Sequence, residues 1–285
     1  MRMTRRRFLT AGGAVAATAV SAAGLFDLVD HSEFQRGLHH LGLSSSPDKR
    51  VPSFGTTEHT GSLTSRFMRN PVGWTMSHPP GSEPPTGIIF CLHGRGADHR
   101  FAFDTIHLPD VAASIGLRVA VAAVDGNDHS YWHKRADGTD ALSMLLEEFV
   151  PIIRQMVGPL PQAVMGWSMG GYGALLAAER DRDAFVAVAP TSPALWLSPS
   201  DTAPGAFDSS SDFYANDVFS GVERLAGHTI AVACGSGDPF YGATRHLVAE
   251  MNYPHTALFG PGYHDPSYWR SIAPSQLRAL QPSLT

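Results

Sequence analysis

The pentapeptide Gly166-Trp167-Ser168-Met169-Gly170 has the spacing G-x-S-x-G, in which a serine can serve as a nucleophile toward a carbonyl carbon. The motif needs a strand before it and a helix after it. A strand that turns straight into a helix through the serine holds it in a tight bend, and the flanking glycines let neighbouring backbone come close. Residues 163–165 read as the end of a buried strand, and residues 171–178 as an Ala/Leu-rich helix, so both flanks are present. The bend lifts the hydroxyl above the sheet. It also sets the Met169 amide at the helix N-terminus, where it can stabilise a developing oxyanion.

A serine hydroxyl is a poor nucleophile near neutral pH. It needs a base within hydrogen-bond reach, and the base needs an acid to fix its tautomer. In a parallel sheet, only loops leaving the C-terminal edge of the strands can meet the serine. His228 and His255 precede strand-like runs, and His246 lies in a helical one. His264 follows the run 256–259 and is left as the base. Asp181 and Asp183 precede a strand, whereas Asp238 directly follows the run 229–234 and is the best-placed acid. Asp201, Asp208, Asp212 and Asp217 sit in a long insertion, and this sorting leaves them open. The set Ser168, Asp238, His264 runs in the chain order of the α/β-hydrolase fold. His93-Gly94-Arg95-Gly96 follows another apolar run, 86–92, and can bring a second amide to the same place; Gly94 and Arg95 are the candidate donors.

The elements that must position these residues are also legible. Continuous apolar runs at 86–92, 117–124, 163–165, 184–189 and 229–234 are expected of strands covered on both faces. Helical patterns fall between them, notably the apolar stripe through 141–157. Residues 62–68 and 72–78 flank an Asn-Pro-Val-Gly turn and read as an antiparallel hairpin. Asp265 and Pro266 look like the N-cap and first position of a closing helix. The expected architecture is an α/β-hydrolase fold: a mostly parallel central sheet with helices on both faces and a small cap insertion over 190–228. The catalytic domain spans 61–285, after a signal segment, 1–23, and a linker, 24–60. Trp132 in the loop 125–140, Trp196 in the insertion and Trp167 beside the serine are candidate substrate-contacting aromatics.

From about residue 62 onward the chain resembles the putative-esterase family of α/β hydrolases. That family includes esterase D or S-formylglutathione hydrolases, feruloyl-esterase-like enzymes and the mycolyltransferase antigens of mycobacteria. GWSMGGYGA around Ser168, CGSGDPF around Asp238 and PGYHDPSYW around His264 carry the resemblance. It implies Ser168 as nucleophile, Asp238 as acid, His264 as base and Met169 as the first oxyanion amide.

Composition narrows the function. A net charge of −5 and a pI near 6.2 give no basic stripe, which argues against nucleic acid as a partner. The chain begins with Thr4-Arg5-Arg6-Arg7-Phe8-Leu9 and an Ala/Gly-rich stretch to about Ala23, a twin-arginine export pattern. The Tat export machinery is therefore an expected partner, the destination is the cell envelope or beyond, and membrane contact is limited to an uncleaved signal. Cys91 and Cys234 lie in runs not expected to be neighbours, so they read as reduced, buried thiols. The histidines at 93, 99, 129 and 133 lack metal-ligand spacing; neither a metal nor an organic cofactor is expected. The activity expected is hydrolysis of a small ester or acylated cell-envelope substrate through an acyl-enzyme. The alternatives are acyl transfer to a sugar or lipid alcohol and a non-catalytic envelope-binding scaffold.

Overall fold

The computed structural model describes residues 51–285. The expected signal segment, and residues 24–50 of the expected linker, lie outside the described residues. An eight-stranded sheet organises the rest: β1 (Thr57–Leu63), β2 (Val72–His78), β3 (Gly87–Leu92), β4 (Val119–Val124), β5 (Gln162–Trp167), β6 (Ala187–Thr191), β7 (Thr229–Gly235) and β8 (Thr256–Gly260). Their spatial order is β1-β2-β4-β3-β5-β6-β7-β8. β2 pairs antiparallel with both β1 and β4, and all the other pairings are parallel.

Burial follows from the sequence pattern. Every residue of β3, β4, β5 and β6 is buried, as expected of strands with helices on both faces. Side-chain alternation then divides each strand between two cores. Ile88, Phe90 and Val164 face a cluster that includes Phe149 and Leu175. Ile89, Cys91, Met165 and Trp167 face the opposite cluster, with Val111 and Leu277. The first face is covered by α2 (Ala141–Met144), which runs through a π-helical turn, Leu145–Phe149, into α3 (Val150–Val157), and by α4 (Met169–Arg180). The second is covered by α1 (Leu108–Ser114) and α7 (Pro266–Leu280).

The hairpin differs from expectation. Its first strand is Thr57–Leu63, earlier than the run 62–68, and pairs Leu63 with Val72. That strand is almost wholly exposed and carries no apolar face, so it has no hydrophobic period to read. Phe67 and Met68, which suggested a strand, pack against the core from the connection that follows.

Between β6 and β7 the chain makes a long excursion containing α5 (Ser210–Ala215) and two short 3-10 turns, Pro199–Asp201 and Val222–Leu225. Arg135 fastens it to the loop after β4: its guanidinium donates to Asp208 at 2.8 Å and to the carbonyls of Gly205 and Ala206. The next helix, α6 (Tyr241–Glu250), links β7 to β8. Asp265 caps α7 by accepting from the Tyr268 amide at 2.9 Å.

Candidate active site

The strand order sets where a site can form. The chain leaves β3 for β4 on one side and leaves β5 for β6 on the other, so a crevice opens between the C-terminal ends of β3 and β5. Ser168 follows β5 directly, and the His93-Gly94-Arg95 loop follows β3. They meet there: a Cβ built on Gly94 would lie 3.3 Å from the Trp167 carbonyl oxygen and 3.5 Å from Ser168 Cβ.

Ser168 has φ 55° and ψ −117°, a conformation a side-chain-bearing residue adopts only under constraint. The constraint is visible in its neighbours. A Cβ on Gly166 would run into the Gly170 carbonyl, and one on Gly170 into the Leu92 carbonyl, so both positions must be glycine for strand, turn and helix to pack this closely. Ser168 N–H donates to Thr191 O at 3.0 Å, and Ser168 O accepts from Ala194 N at 3.0 Å. The serine is thereby gripped from both sides by the segment leaving β6. Its hydroxyl is half-buried at the head of α4, whose first amide, that of Met169, has no intrahelical acceptor.

His264, in the loop after β8, places Nε2 2.9 Å from Ser168 Oγ. Its Nδ1 lies 2.8 Å from Asp238 Oδ2. With the carboxylate as acceptor, Nδ1 carries the proton, which leaves Nε2 to accept from the serine hydroxyl. Asp238 is fully buried, and its other oxygen accepts from the Phe240 amide at 2.8 Å. The three side chains come from positions far apart in the sequence and form one continuous hydrogen-bonded line.

The β3 loop is held by an internal histidine. Gly126 N–H donates to His93 Nε2 at 2.8 Å, so the proton sits on Nδ1, which lies 2.8 Å from the Gly94 carbonyl oxygen. Burial lowers the His93 pKa, in keeping with a neutral ring. This ties the carbonyl of the predicted oxyanion segment to the β4 loop. The Arg95 side chain is exposed and points back to the same loop, donating to His129 Nδ1 at 3.3 Å.

A family profile described as "Putative esterase" matches residues 66–271, a span that contains all of these residues. The chain belongs to that esterase family. A search among curated proteins finds no match. Among solved structures, a ferulic acid esterase superposes with a TM-score of 0.68 at 21% identity, covering 79% of this chain and 100% of its own. An S-formylglutathione hydrolase from Agrobacterium tumefaciens gives 0.68 at 17% identity over 82% and 98% of the two chains. A fluorophosphonate-binding serine hydrolase of Staphylococcus aureus gives 0.64 at 19% identity over 79% and 98%. The likeness places the esterase in the α/β-hydrolase fold.

Two of the three tryptophans expected to contact substrate do not face the crevice. Trp167 is fully buried, because alternation along β5 sends its side chain with Ala163 and Met165 into the second core, where it meets Phe101. Trp132 is also fully buried; a Cβ on Gly126 would come within 2.6 Å of its ring and one on Gly173 within 2.5 Å, and its indole N–H donates to His93 O at 3.3 Å. Both are packing residues. Trp196 is half-buried and meets Phe240 edge-on at 5.4 Å, and Phe240 in turn meets His264 at 5.3 Å. Phe240, Trp269 and Ser192 also belong to this neighbourhood and were not singled out from sequence. Phe240 stands two residues after Asp238, a spacing that could have drawn attention to it. Trp269 lies five residues after His264, at the end of PGYHDPSYW, whereas Ser192 carries no local signal, and only the tertiary fold brings the two together. Among the described residues, no group of three or more His, Cys, Asp or Glu is arranged to hold a metal ion.

Proposed function

We propose that this esterase is an exported serine carboxylesterase working through Ser168, His264 and Asp238. The observation that carries the reading is the unbroken Oγ–Nε2 and Nδ1–Oδ2 line ending on a serine held at φ 55°. His264 Nε2 takes the hydroxyl proton as Ser168 Oγ attacks the ester carbonyl, and Asp238 stabilises the imidazolium that results. The amides of Met169 and Arg95, with Gly94 shaping the loop between them, receive the oxyanion. The alcohol leaves with the proton from His264. Water then enters and the sequence repeats in reverse, releasing the acid. Hydrolysis rather than transfer is favoured because Ser168 and His264 are only partly buried, so water reaches the acyl-enzyme. Trp196 and Phe240 offer apolar surface beside His264 for part of a small ester or an acylated envelope component. The twin-arginine pattern at residues 4–9 supports export through the Tat machinery.

The test is turnover of p-nitrophenyl esters of graded acyl length, with and without a sugar or long-chain alcohol acceptor. Free acid as the main product supports hydrolysis; dominant acylated acceptor would establish transfer instead. No turnover of any ester, with the folded protein retaining glycan or lipid binding, would favour a scaffold.

A further inference from the structure

The motif PGYHDPSYW ends in a tryptophan that the proposed chemistry does not use. Trp269 lies in the first turns of α7, nearly buried, and its ring meets that of His264 at 5.1 Å and 87°. The indole N–H donates to Ser192 Oγ at 3.0 Å. Ser192 is itself fully buried and sits at φ 47°, in the left-handed region that costs a residue with a side chain. Its amide donates to Ala233 O at 2.7 Å, fixing the segment to β7. On either side of it, Thr191 O and Ala194 N are the two groups that grip the Ser168 backbone. One hydrogen bond therefore joins the aromatic wall behind the base to the backbone clamp around the nucleophile.

We propose that Trp269 and Ser192 are positioning residues that set the distance between His264 Nε2 and Ser168 Oγ. The inference rests on the Ser168–His264 reading above. Neither residue is placed to touch substrate. α7 carries the ring that backs the imidazole, and the segment leaving β6 carries Ser192 and the groups that hold Ser168. Gln276, two turns further along α7, also holds the end of β6, accepting from Thr191 Oγ1 at 2.8 Å and donating to Pro190 O at 3.3 Å. The Trp269–Ser192 bond is the tie on the turn that backs His264, and a hydrogen-bond relay is far more sensitive to sub-ångström drift than packing is. Misplacement by about 1 Å can cost on the order of a hundredfold in rate. The strain at Ser192 is held in place by the same contacts, as expected where surrounding structure over-determines a local conformation.

The experiment is a double-mutant cycle with Trp269→Phe, which keeps an aromatic ring beside His264 but removes the donor, and Ser192→Ala, which removes the acceptor. kcat, KM and Tm are measured for both single variants and for the double variant. Ser168→Ala serves as the separate control on the underlying reading: if it retains turnover, that reading fails whatever the cycle shows. Positioning predicts that kcat falls about tenfold or more in each single variant, with KM changed less than about twofold. The double variant should be no slower than the slower single variant, because both remove the same tie. Its Tm should nevertheless rise above that of Ser192→Ala, which leaves the indole N–H buried without a partner. Recovery of kcat together with Tm in the double variant would make the role structural and overturn the proposal. So would losses in kcat that multiply, or single variants that keep wild-type kcat.

Discussion

The backbone at Ser168 can be tested separately from its hydroxyl. Ser168→Ala and Ser168→Gly both delete Oγ and the 2.9 Å bond to His264, so the difference in their stability reports the conformation alone. At φ 55°, ψ −117° a residue with a Cβ carries about 1–3 kcal/mol of strain. Glycine relieves it but gives up about 0.5–1 kcal/mol through the greater freedom of its unfolded chain. The balance leaves Ser168→Gly more stable than Ser168→Ala by about 1 kcal/mol, or about 2–4 °C in Tm for a domain of this size. Urea unfolding followed by tryptophan fluorescence, with matched m-values, measures the difference directly. An alanine variant as stable as the glycine variant, or more so, would show that the turn is not strained and would refute the account of how the serine is held.

Other outcomes follow from named contacts. Gly170→Ala places a methyl group against the backbone carbonyls of Leu92 and His93, which cannot swing aside; a loss of about 3 kcal/mol is expected by urea unfolding, and a near-wild-type midpoint would contradict the close strand–helix approach. Glu179, in α4, is buried with Oε1 lacking a partner, and burial above all raises its carboxyl from the ordinary value of 4.5 to about 9. The folded chain keeps this proton while the unfolded chain releases it. The group's contribution is therefore full below about pH 4.5 and declines steadily as pH rises toward about 9. Glu179→Gln stays neutral throughout, so its stability relative to wild type should improve by on the order of 4 kcal/mol between pH 5 and pH 8; a pH-independent difference would contradict this. Cys91 and Cys234 are unpaired, and burial pushes both thiols up, so a thiol reagent should label neither in the folded protein and both in denaturant; native labelling would contradict the burial.

The sheet was legible because its central strands are buried on both faces and so read as continuous apolar runs. The site was legible because one topological rule sorts candidates: a residue just after a parallel strand reaches the crevice and one just before it does not. That rule placed His264 and Asp238 beside Ser168. It gives no information on which way a large aromatic side chain turns once it is near the site. Proximity suggested Trp132 and Trp167, but alternation along β5 and the gap between Gly126 and Gly173 bury them. β1 was misplaced for the opposite reason, since an exposed edge strand lacks the apolar period that marks a strand. Trp269 closes the PGYHDPSYW motif, but its tie to Ser192 could not be found, because the two lie on elements far apart in the chain and Ser192 has no motif of its own.

In the proposed chemistry Ser168 is the residue acylated in turnover, activated by His264. Peptide mapping by mass spectrometry after reaction with a fluorophosphonate tests it most directly. One stoichiometric adduct is expected on the peptide bearing Ser168, with labelling slowed by orders of magnitude in His264→Ala. An adduct on another residue, or full-rate labelling without the imidazole, would contradict it.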